Sequence, residues 1–179
     1  MTAEEIFLER SRYYLCDEYL SKIRHCVSAL PNDHVWHRAN ESSNSIGNLL
    51  LHLTGNVRQW IVGGIGAREV TRDRPSEFSA RDGATGSELL QNLANALAEC
   101  DEVLAAVKPG DLTRTVSIQG RDTTVLAAIY HVVEHFGMHT GQIVLLTKSA
   151  SPRAIRFYDD STGDARPLWG GSERMRETN

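Results

Sequence analysis

The stretch that decides the fold is VLAAIYHVVEHFGMHTGQIVLLTK, residues 125–148. Apolar residues occur nearly all round it when it is drawn as a helix, which is typical of a helix in the middle of a bundle. His131, His135 and His139 are four residues apart and therefore share one face of that helix. Imidazoles on a buried face need partners for their nitrogens, so the stretch predicts a central helix that carries a polar site.

Three further amphipathic segments precede this helix. The first ends before Pro31, the second begins at a capping residue near Ser45, and the third begins at Thr85. Helices of this length bury their apolar faces most simply against one another. The sequence therefore predicts an all-α fold, a single four-helix bundle over residues 1–150.

Three stretches are expected outside the long helices. Residues 66–84 form a long connection between the second and third helices, and their arginines are expected at a solvated surface. Residues 111–122 alternate apolar and polar side chains before Gly120, which predicts an extended segment and a turn. Residues 151–179 become polar and predict an extended C-terminal tail that packs on the bundle or trails from it.

Composition narrows the class of protein. The 179 residues hold 19 Lys and Arg against 23 Asp and Glu, a net charge of −4, which argues against a nucleic-acid partner. No apolar run approaches the ~20 residues that cross a bilayer, so no membrane partner is expected. The three cysteines have no metal-ligand spacing and the first residues are acidic, which predicts a reduced cytoplasmic protein without a signal peptide.

The histidine spacing limits which residues can share an ion. His131 and His139 are about 12 Å apart along a helix axis, too far for one ion. The chelating pair is therefore His131 with His135, or His135 with His139. His52, inside the apolar run LLLHL of the second helix, offers a third ligand from a facing helix. The alternative is that these are core histidines with ordinary hydrogen bonds.

Two segments resemble the DinB-like superfamily. They are NSIGNLLLHLTGNVRQW, residues 44–60, and HVVEHFGMHTGQI, residues 131–143. The likeness extends over residues 5–150 and is closest to a bacterial branch of unknown function. Relatives of known activity include metal-dependent transferases that use low-molecular-weight bacterial thiols, and a thiol-dependent isomerase.

The resemblance implies a four-helix bundle that binds one divalent metal ion through three histidines. Carried over to this sequence, the ligands are His52, His135 and His139. His131 then lies one turn below the ion, behind the ligands. Gln142, seven residues after His135, shares its face and is expected to orient a ligand or a bound water, with plain packing as the alternative.

The function that follows is a metal-dependent enzyme, a thiol-dependent transferase acting on a small-molecule substrate. Three neutral imidazoles leave an ion its full charge and an open position, where a thiol would be deprotonated. The alternatives are a metal-dependent hydrolase and a non-catalytic metal-binding or stress-related protein. A pocket walled by Trp60 and by residues 66–84 and 111–122 would favour the enzyme.

Cofactor and assembly follow from the same pattern. Imidazole ligands suit zinc or nickel in the first place, with iron or manganese as alternatives, and a low-molecular-weight thiol is the expected second cofactor. A homodimer is expected because Tyr13, Tyr14 and Tyr19 of the first helix are residue types favoured at partly buried contacts.

Overall fold

The computed structural model describes residues 1–151 and 154–169, and these residues are mostly helical, which confirms the helical class. The α-helices are α1 (Ala3–Arg12), α2 (Leu20–Ser28), α3 (Ile46–Val57), α4 (Arg74–Ser79), α5 (Gly86–Ala106) and α6 (Val125–Ala150). A π-helical stretch, Tyr13–Tyr19, joins α1 and α2 into one long segment, and a second, Arg58–Gly63, extends α3. Short 3-10 helices occupy Asn32–Trp36 and Pro109–Thr113.

Side-chain caps set the helix starts where the sequence predicts them. Ser45 Oγ accepts a hydrogen bond from the Asn48 amide, and the Asn48 side chain accepts one from the Ser45 amide. Thr85 and Glu88 form the same reciprocal box at the start of α5, and Thr124 caps α6. Each box satisfies amides that would otherwise lack partners in the first turn.

A single apolar core joins the long helices. Helix α3 packs against both α5 and α6, and α2 packs against α6. Burying each large aliphatic or aromatic side chain contributes roughly 1.5–3 kcal/mol. The largest side chains with almost no exposure include Leu15, Ile23, Leu50, Leu53, Leu93, Leu97 and Phe136.

Helix α6 is not buried all round, which corrects the expectation of a fully central helix. One face packs on α2 and α3, whereas Tyr130 is 63% exposed and Leu145 is 65% exposed on the other. Each helix of a small bundle has an outer side, and here that side carries apolar residues. Among the described residues, none of the helices is both long and apolar enough to span a membrane.

The 66–84 connection contains a helix that the sequence analysis missed. Helix α4 begins where the Asp73 side chain accepts a hydrogen bond from the Ser76 amide, with Pro75 in its first turn. It packs against α3. Six residues are too few for a helical period to be visible in a sequence, so only the Asp-x-Pro start remained as an indication.

A β-hairpin follows α5 and confirms the extended segment with its turn. Strand β1 (Thr115–Ile118) pairs antiparallel with β2 (Arg121–Thr124), and Ile118 is opposite Arg121. The two turn residues, Gln119 and Gly120, both have positive φ angles of 56° and 71°. This is the two-residue turn that matches strand twist, and Gly adopts it without strain.

The described part of the C-terminal segment packs on the helices rather than extending away. Strands β3 (Tyr158–Asp159) and β4 (Arg166–Pro167) form a small hairpin, and Phe157 is buried in the core. The carbonyl of Arg156 lies 3.0 Å from Nε2 of His25 in α2. The predicted tail continues through residues 152, 153 and 170–179, which lie outside the described residues.

Candidate metal centre

Three of the predicted residues meet between α3 and α6. His52 from α3 and His135 and His139 from α6 each offer one ring nitrogen, and these atoms all lie within 4.8 Å of one another. The centre of the His52 ring lies 4.9 Å from that of His135 and 5.1 Å from that of His139, and the centres of the two α6 rings are 4.4 Å apart. We call these residues the histidine cluster. Of the two pairs that spacing allowed on α6, the later one faces His52.

His52 is buried and its ring is oriented by an acid from the 66–84 connection. Its Nδ1 atom lies 2.9 Å from Oε2 of Glu77, a residue of α4. Arg72 binds the same carboxylate twice, with 2.6 Å from Nε to Oε1 and 2.8 Å from Nη2 to Oε2. The side chains of Arg72 and Glu77 are only 6% and 8% exposed, so this is a buried, bidentate ion pair.

The carboxylate of Glu77 stays charged in this setting. Burial by itself raises the pKa of Glu77, but the hydrogen bonds and charge of Arg72 and the hydrogen bond to His52 outweigh burial and lower it. An ionised carboxylate only accepts hydrogen bonds, so Nδ1 of His52 must be the donor. Arg72 Nη2 also lies 3.2 Å from this Nδ1, and since a guanidinium only donates, that approach is a contact rather than a second hydrogen bond.

The protonated Nδ1 has a chemical consequence at the other side of the ring. In the neutral imidazole only one nitrogen carries a proton, so Nε2 of His52 keeps its lone pair. This lone pair points into the histidine cluster, 2.8 Å from Nε2 of His135. A hydrogen bond between the two rings, or a cation that both nitrogens share, makes this close approach favourable. A carboxylate behind a histidine is the usual support of a metal-binding imidazole.

Helix α4 is held against α3 by a buried amide. The Nδ2 atom of Asn48 donates to the carbonyl oxygens of Glu77 and Ala80, at 2.8 and 2.9 Å. Gly55, three residues after His52, leaves room for the ion pair, because a Cβ there would overlap Glu77 Oε1 and lie 2.7 Å from Arg72 Nε. The Arg72–Glu77 ion pair therefore packs directly against the backbone of α3.

The ring of His139 is oriented by a residue of its own helix. Its Nδ1 atom lies 2.7 Å from Oε1 of Gln142, three residues later on α6. An amide oxygen only accepts, so Nδ1 carries the proton and Nε2 of the neutral ring keeps its lone pair. The predicted role of Gln142 in orienting a ligand thus has the geometry it requires.

Burial keeps the α6 histidines neutral. It lowers the pKa of His135 to about 3, and the neighbouring histidines and Arg72 act in the same direction. Burial also lowers the pKa of His139, against the opposing hydrogen bond of Gln142. Neutral imidazoles are the form that binds metal, so His135 and His139 do not have to lose protons near neutral pH.

His131 and Trp60 contact each other behind the cluster. The His131 ring lies 4.3 Å from the Trp60 ring and 5.4 Å from the His135 ring, stacked on the latter. Burial lowers the pKa of His131 as well. His131 is not among the three residues of the cluster and stacks on the ring of His135. Its place behind metal ligands stays a prediction.

A cavity of about 320 Å³ lies on the outer side of the Arg72–Glu77 pair. Its walls are α3, α5 and residues 70–73 and 77 of the connection, and it lacks the predicted contribution of residues 111–122. Trp60 is not among the residues that line it. The β-hairpin reaches the same region, because Gln119 and Arg72 both donate to Oε1 of Gln59, each at 2.6 Å.

Sequence reasoning missed the residues that support His52. It placed the arginines of the connection at a solvated surface, which is wrong for Arg72, and it did not single out Glu77 or Asn48. Asn56, one turn after His52, was also overlooked; it is buried and its Oδ1 has no hydrogen-bond partner. The unusual length of the connection was the one indication that this region had a role.

Comparison with known proteins places the chain in a family. A family model described as "Protein of unknown function (DUF1572)" matches residues 4–157. The chain belongs to the DUF1572 family. No curated protein matches it. The description of the family assigns no reaction to its members.

Two solved structures of DinB-like proteins share the fold of this chain, which confirms the resemblance at the level of the fold. A DinB-like protein from Bacillus cereus ATCC 10987 aligns with a TM-score of 0.64 and 17% identity, covering 82% of this chain and 91% of that one. A DinB-like protein from Bacillus subtilis aligns at 0.60 and 16%, covering 83% and 96%. At such identities the likeness shows the fold alone.

Proposed function

We propose that His52, His135 and His139 bind one divalent metal ion through their Nε2 atoms. The observation that carries the proposal is the pair of independent supports, Glu77 on His52 and Gln142 on His139, which both place the proton on Nδ1. A core histidine with ordinary hydrogen bonds needs no such convergence. Three neutral imidazoles suit zinc or nickel, with iron or manganese as alternatives.

We further propose that the site belongs to a thiol-dependent transferase acting on a small molecule. A divalent ion with three neutral ligands supplies a Lewis acid that lowers the pKa of a bound thiol and makes it nucleophilic at neutral pH. The chain's own residues hold the ligands in place. Glu77 and Gln142 fix the ring orientations, and burial of His52 and His139 limits access of water.

Asn56 supplies a further polar group for this chemistry. It lies four residues from His52 and four from Trp60, and these two residues contact His135 and His131 of α6. Asn56 therefore lies on the same α3 face, between the two contacts. Its buried Oδ1 without a partner is available to a substrate hydrogen atom.

Two alternatives remain as proposals of lower rank. The same site could activate water and serve a hydrolase. A non-catalytic metal-binding or stress-related protein would need the histidines but no space for a substrate. The unpartnered oxygen of Asn56 favours an enzyme over this second alternative.

Metal analysis followed by an activity screen tests the proposal. The purified chain should hold about one divalent ion per chain. It should then catalyse transfer of a low-molecular-weight thiol to an electrophile, with His135→Ala as the inactive control. A metal-loaded chain that hydrolyses esters or amides but transfers no thiol would support the hydrolase. A chain that binds no divalent ion after reconstitution would refute the site.

We also propose a homodimer. Tyr13 does not support it as expected, because this residue is 6% exposed and its hydroxyl donates to Glu18 of the same chain. The exposed apolar residues of α6, Tyr130, Met138 and Leu145, offer a better contact surface. Light scattering should give twice the 19.9 kDa mass of one chain, and a mass near 19.9 kDa would refute pairing.

The finer points of architecture and location remain proposals too. We propose that the four long helical segments form the DinB-type four-helix bundle over residues 1–150, with 151–179 as an appendage. The location proposed is the cytoplasm, on the basis of the unpaired cysteines. Fluorescence of a tagged chain in a bacterial host tests the location directly.

A further inference from the structure

A larger cavity, of about 510 Å³, lies on a different face of α6 from the histidine cluster. Its walls are α6 between residues 137 and 148, Tyr19 and Lys22 of the first helical segment, and residues 156–160. Helical residues advance by about 100° each, so Gly141, two residues after His139, points to the opposite side of α6. The volume is in the range of small-molecule sites. This cavity therefore plays no part in the metal-binding proposal.

A buried hydroxyl without a partner lines the cavity. Thr140 is 3% exposed, and its Oγ1 has no hydrogen-bond partner. Buried polar atoms of native proteins almost always have a partner, and the exceptions mark strain or a missing ligand or water. Thr140 is one of the residues that line the cavity, so this unpartnered hydroxyl belongs to the cavity wall.

One of two glycines in this part of α6 leaves the helix backbone uncovered beside the cavity. A Cβ on Gly141 would meet no atom within 4 Å, and a Cβ on Gly137 would lie 3.0 Å from the Tyr19 hydroxyl. Glycine in a helix interior is a poor helix former compared with alanine. Packing against the rest of the chain does not require a glycine at 141, because the space beside it is open. A ligand that approaches the helix backbone does require one.

Charge and aromatic rings indicate which ligand would fit. Lys22, Lys148 and Arg156 line the cavity against one carboxylate, Asp160, which leaves the lining positive in a chain of net charge −4. Glu18 neutralises Lys22 through an ion pair of 2.7 Å. This leaves Lys148 and Arg156 as the cations for a ligand.

The surroundings of these two cations fit the same ligand. Nζ of Lys148 lies 5.1 Å from the centre of the Phe157 ring, which is the distance of a cation–π contact. Arg156 makes a long contact of 3.9 Å with Asp159 and is largely exposed. Tyr19, Phe157 and Tyr158 supply aromatic walls.

We propose that this cavity binds a small amphiphilic anion, a molecule with one carboxylate or phosphate group on an apolar body. The anionic group would be bound by Lys148 and Arg156 through charge-assisted hydrogen bonds. The apolar body would lie on the bare backbone at Gly141, beside Thr140 and between the aromatic rings. The proposal is independent of any metal ion.

Calorimetric titration of the full chain tests the site. The chain is first freed of metal by a chelator and dialysed, so that an anionic probe cannot bind at the histidine cluster. Benzoate, phenyl phosphate and the neutral benzyl alcohol are the probes, and the first two distinguish a carboxylate from a phosphate ligand. At least one anion should bind with a Kd on the order of 1 mM or lower, and benzyl alcohol about tenfold more weakly.

Four variants locate the binding. Gly141→Leu fills the open space and should abolish binding, and Gly141→Ala, which places one methyl group against the ligand, should weaken it; both replace glycine with a better helix former, so both should fold. Lys148→Gln should weaken the anion about tenfold, since it removes a charged hydrogen bond. Arg24→Gln removes an exposed cation from another face of α2 and should change the Kd less than about twofold.

Three results would overturn the proposal. The first is that neither anion binds the metal-free chain. The second is that benzyl alcohol binds as tightly as the anions, which would remove the role of charge. The third is that Gly141→Leu, with a melting temperature no lower than that of the wild type, still binds the anion with unchanged affinity.

Discussion

His52 and His139 occupy equivalent places in the histidine cluster, but the chain supports them in different ways. His139 depends on Gln142, a neutral and exposed residue three positions later on the same helix. His52 depends on Glu77, which is 25 residues away, buried, charged, and itself held by Arg72. The contact of Gln142 with His139 forms wherever α6 is helical. The contact of Glu77 with His52 forms only after the 66–84 connection has folded against α3.

The difference concerns energy as well as distance along the chain. Water can replace an exposed amide, so the support of His139 is easily substituted. The Arg72–Glu77 pair is desolvated, and removing one partner leaves an uncompensated buried charge. We therefore expect the α3 side of the site to be more sensitive to substitution than the α6 side.

Removal of a ligand should have the largest effect on metal binding. His52→Ala or His139→Ala should lower metal affinity by more than the roughly 100-fold that loss of a supporting residue can cost, because a ligand is lost outright. His131→Ala is the matched control and should keep its metal, since His131 only stacks on His135. Mass spectrometry of metal content after dialysis gives the measurement. Equal loss from all three variants would contradict the assignment of the pair on α6.

Glu77→Gln should have the next largest effect. It leaves Arg72 without its counter-charge, so we expect a loss of about 3–5 kcal/mol in the free energy of unfolding. Metal affinity should fall about 10- to 100-fold as well. Urea unfolding of the metal-free chain separates the two effects.

The control for Glu77→Gln is Glu99→Gln. Glu99 forms a partly exposed pair with Arg58, at 2.8 Å, so its loss should cost less than about 1 kcal/mol. Equal stability of the two variants would contradict the inference that the buried Arg72–Glu77 pair holds α4 against α3.

Gln142→Ala should have a smaller effect than Glu77→Gln, and this is the most direct test of the comparison. We expect metal affinity to fall about tenfold, which is the lower end of the 10- to 100-fold range for the loss of a residue that orients a ligand. Stability should change by less than about 1 kcal/mol, because water can take the place of the amide oxygen. Competition with a chromogenic chelator measures the affinity. A larger loss than that of Glu77→Gln would reverse the order of the two supports.

The last effect expected is a pH dependence of the stability of the metal-free chain, which needs no loss of a ligand. Burial lowers the pKa of His135 from 6.5 to about 3, so the unfolded chain binds a proton before the folded chain does. Stability is then fully present above about pH 6.5 and falls as the pH decreases toward about 3. The urea concentration at the unfolding midpoint should fall as the pH is lowered from about 6.5 to about 3. In the His135→Asn variant this fall should be smaller. His37→Asn, at an exposed residue outside the cluster, should leave the fall unchanged.

The parts of the site that sequence could predict are those that depend on neighbouring residues. The four-residue spacing of His135 and His139 places both on one face of α6, and Gln142 follows within the next turn. Thr85 with Glu88 and Ser45 with Asn48 similarly mark helix starts by contacts within three residues. A helix fixes these relations wherever it lies in the fold.

Other parts could not be predicted from the same patterns. Helix α4 is too short to show a period, and nothing in the sequence distance between Glu77 and His52 indicates that they meet. Arg72 belongs to a stretch with several arginines, of which it alone binds the buried carboxylate. The exposed apolar face of α6 was likewise hidden, because a helix that is apolar all round does not reveal which side the other helices cover.

The sequence by itself determined the long helices, their capped starts and the row of histidines, because hydrogen bonds and side-chain periodicity act over a few residues. Tertiary structure alone decided that His52 meets His135 and His139, that a buried ion pair stands behind His52, and that a second cavity opens across α6. These contacts join distant segments, and only the packing of α3, α4 and α6 into one core brings them within reach. Local chemistry supplied the ligands, and burial supplied the neutral state in which imidazoles bind a metal ion.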